Sequence, residues 1–146
     1  MEGIIKAVCT SPAKGTAKAN VGQAVCVEDW GLEGDAHAGK WHRQVSLLSY
    51  EKIEEFKALG VSVKDGDFGE NMVVSGVDFA RLPVGTRFQI GNVELELTQI
   101  GKECHHGCAI AQAVGTCIMP TEGVFARVLK GGPVRVGDRL VVVSDR

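Results

Sequence analysis

Val93, Leu95 and Leu97 alternate with Glu94 and Glu96, a period of two that fits a β-strand with one dry face and one wet face. Weaker versions of the pattern recur at residues 4–9, 23–27, 44–48, 87–90 and 139–143, so strand-forming segments run from one end of the chain to the other. Nineteen glycines against four prolines punctuate them and supply the tight turns that join short strands. A chain of many strands must deal with its sheet edges, and closure into a barrel removes them. The expected architecture is mainly β with a few short helices, a single domain over residues 1–146 closed as a β-barrel. The clearest helical segment begins after Ser49, a suitable N-cap, and runs to Gly60, a residue type favoured just past helix ends. Its spacing directs Ile53, Phe56 and Leu59 toward the core. A second, short helix is expected over residues 108–115. Residues 124–130 fit a strand or one and a half helical turns equally well, because a short apolar run has no decisive period.

With 45% hydrophobic and 23% charged residues, the 146-residue chain has ordinary globular usage, which argues against wholesale disorder and against a coiled coil. A formal net charge of −2 gives no general basic field, so neither nucleic acid nor an anionic membrane is an expected partner, and any anion site must be local. Apolar runs such as residues 140–143 fall far short of the ~18 residues a membrane helix needs. The first residues lack the basic segment and long apolar run of a secretory leader, so a cytoplasmic setting with reduced thiols is expected. Five cysteines, Cys9, Cys26, Cys104, Cys108 and Cys117, are an odd set, which leaves at least one thiol free.

Four segments concentrate chemistry. The first, residues 31–45, packs Asp35, His37, Lys40, His42 and Arg43 among glycines that let the backbone approach a ligand, with Lys40 and Arg43 as charge-assisted donors to an anion. A solvated loop in which Asp35 caps a turn accounts for the same residues. The second sets Asp65, Asp67, Glu70 and Asn71 around Gly66 and Gly69. A turn leading into a strand explains it, and the spacing lacks the terminal glutamate of a calcium loop. The third follows the best strand and places Cys104 beside Lys102, His105 and His106, whose cationic or protonatable side chains favour the thiolate, a nucleophile and soft metal ligand. Cys104, His105, His106, Cys108 and Cys117 also match the ligand types of zinc, although crowded together instead of forming two separated pairs. The fourth, residues 120–138, holds Arg127 alone among apolar neighbours. An arginine buried there needs an anionic partner, either a ligand or a carboxylate such as Asp35 or Glu70. Gly137 and Asp138 read as an ordinary turn.

In this order the four segments resemble the MOSC domain, the family named after the C-terminal domain of molybdenum-cofactor sulfurases. The residues that carry the likeness are Gly34, Asp35 and His37, then Phe68, Gly69, Glu70 and Asn71, the Gly85 turn, Cys104 after a long strand, and the run from Gly123 through Leu129 with Gly137 and Asp138. The likeness spans nearly the whole chain. It implies a barrel akin to the barrel domain of pyruvate kinase, with a pocket for the molybdenum cofactor (molybdopterin). Cys104 matches the family's invariant cysteine, which serves as the thiolate ligand to molybdenum or as a persulfide carrier. Molybdenum in its dithiolene accepts a soft thiolate, and the pterin phosphate calls for arginine, lysine and backbone donors. Arg43, Lys40 and Arg127 are then the phosphate candidates. Asp35, Glu70 and Asn71 are candidates for the polar pterin edge or for support around the metal, and His37 and Lys102 complete the cofactor-binding set.

Two functions compete within that resemblance. Larger relatives reduce N-hydroxylated bases and amidoximes at molybdenum with electrons from separate or fused partners. This chain has neither the ferredoxin cysteine spacing nor a dinucleotide fingerprint, so as a reductase it needs an external electron donor. As a non-catalytic alternative it binds, sulfurates or delivers the cofactor, with cofactor biosynthesis or insertion proteins and a cysteine desulfurase as partners. Cys108 departs from the family pattern and leaves two more readings open: it resolves an oxidised or persulfidated Cys104, or with His105 and His106 it holds zinc in a binding module. No pyridoxal phosphate site is expected, since that cofactor belongs to the fused desulfurase domain of longer proteins.

Overall fold

The computed structural model describes residues 1–13, 17–60, 62–101 and 122–143. The strands among them are β1 (Glu2–Thr10), β2 (Ala19–Asn20), β3 (Gln23–Val27), β4 (Gly31–Leu32), β5 (Val45–Ser49), β6 (Met72–Ser75), β7 (Arg87–Ile90), β8 (Val93–Ile100), β9 (Val124–Lys130), β10 (Gly132–Arg135) and β11 (Arg139–Val143). One α-helix among the described residues, α1 (Tyr50–Lys57), follows β5 directly. The strands expected from the period-two pattern are all present, and residues 124–130 are strand. What settles that last segment is pairing on both sides, with β8 and with β5.

Seven strands close into a barrel in the order β1, β11, β7, β8, β9, β5, β6 and back to β1. Closure depends on β1, which pairs with β11 through Glu2, Gly3 and Ile4 and with β6 from Ile4 to Val8, across a register shift after Ile5. Each neighbouring pair in the ring is antiparallel except β5–β6. A three-stranded sheet of β10, β3 and β4 lies beside the ring and contributes Cys26, Leu32 and Val134 to its core.

The alternation on β8 does what its pattern demands: Val93, Leu95 and Leu97 are buried in the lumen, while Glu94 and Glu96 are only half-buried on the outer side. On β9, Val124, Ala126 and Val128 point inward, which leaves Phe125 and Arg127 on the outer face. Each fully buried valine or leucine contributes about 1.5–3 kcal/mol. Phe79 and Phe88 meet edge to face in the lumen, centroids 5.4 Å apart.

The outer wall carries a second apolar cluster, in which Ala7, Leu48, Val73 and Phe125 are covered by Ile53 and Phe56 of α1 and by Phe68. Leu59 does not join it and is 78% exposed, contrary to the expectation from helical spacing. The helix stops at Lys57, and Gly60 turns the chain with φ of +93°, so Leu59 sits beyond the last helical turn. Ser49 precedes the helix but makes no side-chain cap; its hydroxyl donates to the Val77 carbonyl and accepts from Phe79 N. The helix expected at 108–115 lies outside the described residues. No helix among the described residues is long and apolar enough to cross a membrane.

Candidate functional site

Between β4 and β5, residues 33–44 form the loop that holds the first cluster. Asp35 and Lys18 make an ion pair at 2.8 Å with both side chains fully withdrawn from solvent. Asp35 Oδ1 also accepts from Ser11 N at 3.1 Å, and Oδ2 accepts from His37 N at 3.2 Å. Lys18 Nζ reaches the Ser11 hydroxyl at 3.3 Å and His37 Nδ1 at 2.9 Å. Burial works to raise the Asp35 carboxyl, but the bond and charge of Lys18, with help from Ser11 and Asn71, hold it below the usual carboxylate range. Asp35 is therefore a fixed negative charge, neutralised in place. It also closes a turn, since Ala38 N donates to its carbonyl, so the expected capping role and the buried network coexist.

Beneath this loop lies the turn before β6. Glu70 Oε2 accepts from Gly66 N at 2.9 Å and Oε1 from Phe68 N at 3.0 Å, which ties residues 66–70 into a compact turn. Gly66 adopts φ of +90°, and a Cβ there would fall 1.9 Å from the Lys18 carbonyl oxygen. Only glycine lets the turn press on Lys18, whose N–H donates to the Gly66 carbonyl at 2.9 Å. Burial pushes the Glu70 carboxyl up to about 7 against the lowering effect of its backbone donors, and the Asp65 charge pushes the same way. Asn71 fastens the turn to the barrel: its amide donates to the Cys9 carbonyl at 3.0 Å, and its Oδ1 accepts from Ser46 N at 2.9 Å. Glu70 and Asn71 are wholly buried and Asp35 nearly so, so these three spend their polar atoms inside the protein and support the loop from below.

Farther along the loop, the Arg43 guanidinium lies over Trp41, 4.6 Å from the ring centroid, and 5.7 Å from that of Phe125. Its Nε is buried and meets no acceptor among the described residues. Trp41 Nε1 donates to the His37 carbonyl at 2.8 Å, so the indole links Arg43 to the Asp35 cluster. His42 Nε2 lies 2.7 Å from Gln99 Oε1, and Gln99 Nε2 donates to the Gly101 carbonyl at 2.7 Å. The loop is thus tied to the end of β8, from which the chain continues toward Cys104.

The structure gathers Asp35, His37, Glu70 and Asn71 into one network and sets Arg43 next to it; Lys40 is exposed on the same loop. Lys102, Cys104, His105, His106, Cys108 and Cys117 lie outside the described residues. Arg127 requires a correction, because its partner is neither Asp35 nor Glu70. Being odd-numbered on β9 it points outward, where its cross-strand neighbour Glu96 meets it at 2.8 Å, and its side chain is 49% exposed. Cys9 and Cys26 are buried, and burial pushes the Cys26 thiol up to about 12, so neither is a reactive thiolate at neutral pH. Two open clefts, of about 500 and 650 Å³, flank β10, and neither is lined by Asp35, His37, Arg43, Glu70 or Asn71.

The MOSC domain family model matches residues 34–141, most of the chain. The chain belongs to the MOSC family. Solved structures share its fold. The YuaD protein from Bacillus subtilis superposes with a TM-score of 0.78 at 20% identity, over 96% of this chain and 94% of that one. YiiM from Escherichia coli gives 0.68 at 20% identity, over 99% and 70%. YiiM from Geobacillus stearothermophilus gives 0.67 at 19% identity, over 97% and 73%. No curated protein matches the chain by sequence.

In this MOSC domain the family match begins at residue 34, whereas Lys18 and Ser11, which hold Asp35 and His37, come before it. Neither stands out in the sequence. Lys18 sits between two alanines in a short polar stretch, and no local pattern distinguishes it from a surface lysine. Ser46 is equally silent, an outward position on a buried strand whose hydroxyl bonds to Asn71.

Proposed function

We propose that this MOSC domain binds the molybdenum cofactor, with the Cys104 thiolate as the ligand to molybdenum and Arg43 as the anchor for the cofactor's phosphate. The observation that carries the proposal is Arg43 Nε, a buried donor without an acceptor among the described residues, on a guanidinium that lies over Trp41. A buried donor left unmatched costs about 1–3 kcal/mol, which an oxyanion bound there would recover through charge-assisted bonds. Support also comes from chain continuity: Cys104 follows Gly101 by three residues, a reach of at most about 11 Å, and Gly101 is joined through Gln99 to His42, beside Arg43.

In this reading Lys40 adds positive charge at the rim, and Asp35, Glu70 and Asn71 hold the frame. Lys102, His105 and His106 flank the thiolate in sequence and favour its ionised form. Arg127 stays with Glu96 and outside the site. The bound cofactor would supply a redox-active metal that accepts a soft thiolate. Every other contribution is the chain's own: positioning the anion, keeping the thiolate available, and fixing the loop. Reduction of N-hydroxylated compounds would draw electrons from an external donor, whereas cofactor handling would involve insertion proteins or a cysteine desulfurase.

Elemental and pterin analysis of protein made in cells that synthesise the cofactor tests the proposal. Near-stoichiometric molybdenum in the wild type and its loss in Cys104→Ser is the expected result. Zinc in place of molybdenum, or a persulfidated Cys104 with no metal, would contradict it. Turnover of a hydroxylaminopurine by loaded protein with a chemical electron donor separates reductase from carrier.

A further inference from the structure

Lys18, which nothing in the sequence singles out, places its ammonium in contact with three polar groups of the loop network. A protonated lysine has three N–H donors and no lone pair. Its three polar neighbours here are Asp35 Oδ1 at 2.8 Å, His37 Nδ1 at 2.9 Å and the Ser11 hydroxyl at 3.3 Å. The ammonium faces the Asp35 carboxylate as an ion pair, and each of its three protons has an acceptor within reach. Nδ1 of His37 must then carry the lone pair, and the ring proton must sit on Nε2. A proton on Nδ1 would face the ammonium head on. The geometry is enforced from both sides. Asp35 Oδ2 accepts from His37 N, and the turn closed by Glu70 holds the Lys18 backbone through Gly66.

From this we infer that Lys18 is a positioning residue that fixes His37 as the neutral Nε2–H tautomer, so that its Nε2 acts as a hydrogen-bond donor and not as a base or a metal ligand. With Nδ1 engaged by Lys18, metal binding through Nε2 would require an imidazolate. Such a donor meets only an acceptor, whether a group of the chain or a ligand such as an oxyanion or a heterocycle edge with carbonyl or unprotonated nitrogen. The identity of that ligand rests on the proposed function; the tautomer does not.

The test uses the full chain, free of cofactor, labelled with 15N histidine, in a long-range 1H–15N correlation at pH 8, with His37 assigned by its absence in His37→Gln. The expected spectrum shows His37 Nδ1 in the unprotonated, pyridine-like range and Nε2 in the protonated, pyrrole-like range, with no averaging between them. In Lys18→Met/Asp35→Leu, which removes the ion pair as a unit, the two nitrogens shift toward averaged values. A wild-type His37 that is protonated on Nδ1, or doubly protonated, overturns the inference without recourse to any variant. Unaveraged wild-type signals that persist unchanged in the folded double variant overturn the role of Lys18. A protein with the locked tautomer that takes up no molybdenum would refute the proposed function and leave this inference standing.

Discussion

The loop that carries Asp35 and the turn that carries Glu70 lie on the same outer flank of the barrel, and each buries a carboxylate, yet the two carboxylates are opposites. Asp35 has a lysine at 2.8 Å and is held below the usual carboxylate range. Glu70 has backbone N–H groups and no cation among the described residues, and burial raises it to about 7. Burial is common to both, so the difference comes from the partner. A full charge at hydrogen-bond distance overcomes desolvation, whereas backbone dipoles offset only part of it. One group is a permanent fixture of the site's electrostatics, and the other titrates near neutrality.

The largest expected effect comes from erasing that difference. Lys18→Met leaves Asp35 buried and unpaired, and should cost about 3–5 kcal/mol in urea unfolding. Lys18→Met/Asp35→Leu should recover most of the loss, because no charge is then stranded. If the single variant is nearly as stable as wild type, Asp35 does not depend on Lys18 and the contrast with Glu70 collapses.

The pH dependence of stability reads the same contrast with opposite signs. In the folded protein the Glu70 carboxyl is raised from its ordinary 4.5 to about 7. Its contribution is fully present below the lower value and is lost as pH rises through the upper one, a change of about 3 kcal/mol. Asp35, held low, contributes above the ordinary carboxyl value of 3.8 and loses that contribution as pH falls further. Glu70→Gln should flatten the profile between the two Glu70 values, at a cost of about 1 kcal/mol for the backbone donor it no longer satisfies. Urea midpoints across that window would check this, and an unaltered slope in the variant would place the titration elsewhere.

The smallest effect should come from the outward arginine. Arg127→Ala removes a half-exposed pair with Glu96 and should cost no more than about 1 kcal/mol in the same unfolding assay. A larger loss would mean that this strand's outer face carries weight comparable to the network around Asp35.

Much of the fold was legible because a period of two is a local property. The runs at 93–97, 87–90 and 139–143 announce strands whatever their partners. Leu59 was misjudged because the helix ends a turn early, where the chain bends at Gly60. That Arg127 would meet a carboxylate is legible in the sequence, but which one is not, because the β8–β9 register sets Glu96 opposite it and register belongs to the pair of strands. At the site, Asp35, His37, Glu70 and Asn71 could be picked out as a clustered set of ionisable and amide groups near glycines. Lys18 could not, because its place beside Asp35 depends on how Gly66 closes against the chain at residue 18.

Arg43, whose buried Nε meets no acceptor among the described residues, and not Arg127, which is paired with Glu96, is the arginine proposed to receive the cofactor's phosphate. Pterin retained per chain should be compared in wild type, Arg43→Gln and Arg127→Gln, all produced under cofactor-synthesising conditions and passed through the same purification. Near-stoichiometric pterin is expected in wild type and Arg127→Gln, with a loss of tenfold or more in Arg43→Gln. Equal retention in the two variants, or loss confined to Arg127→Gln, would contradict it.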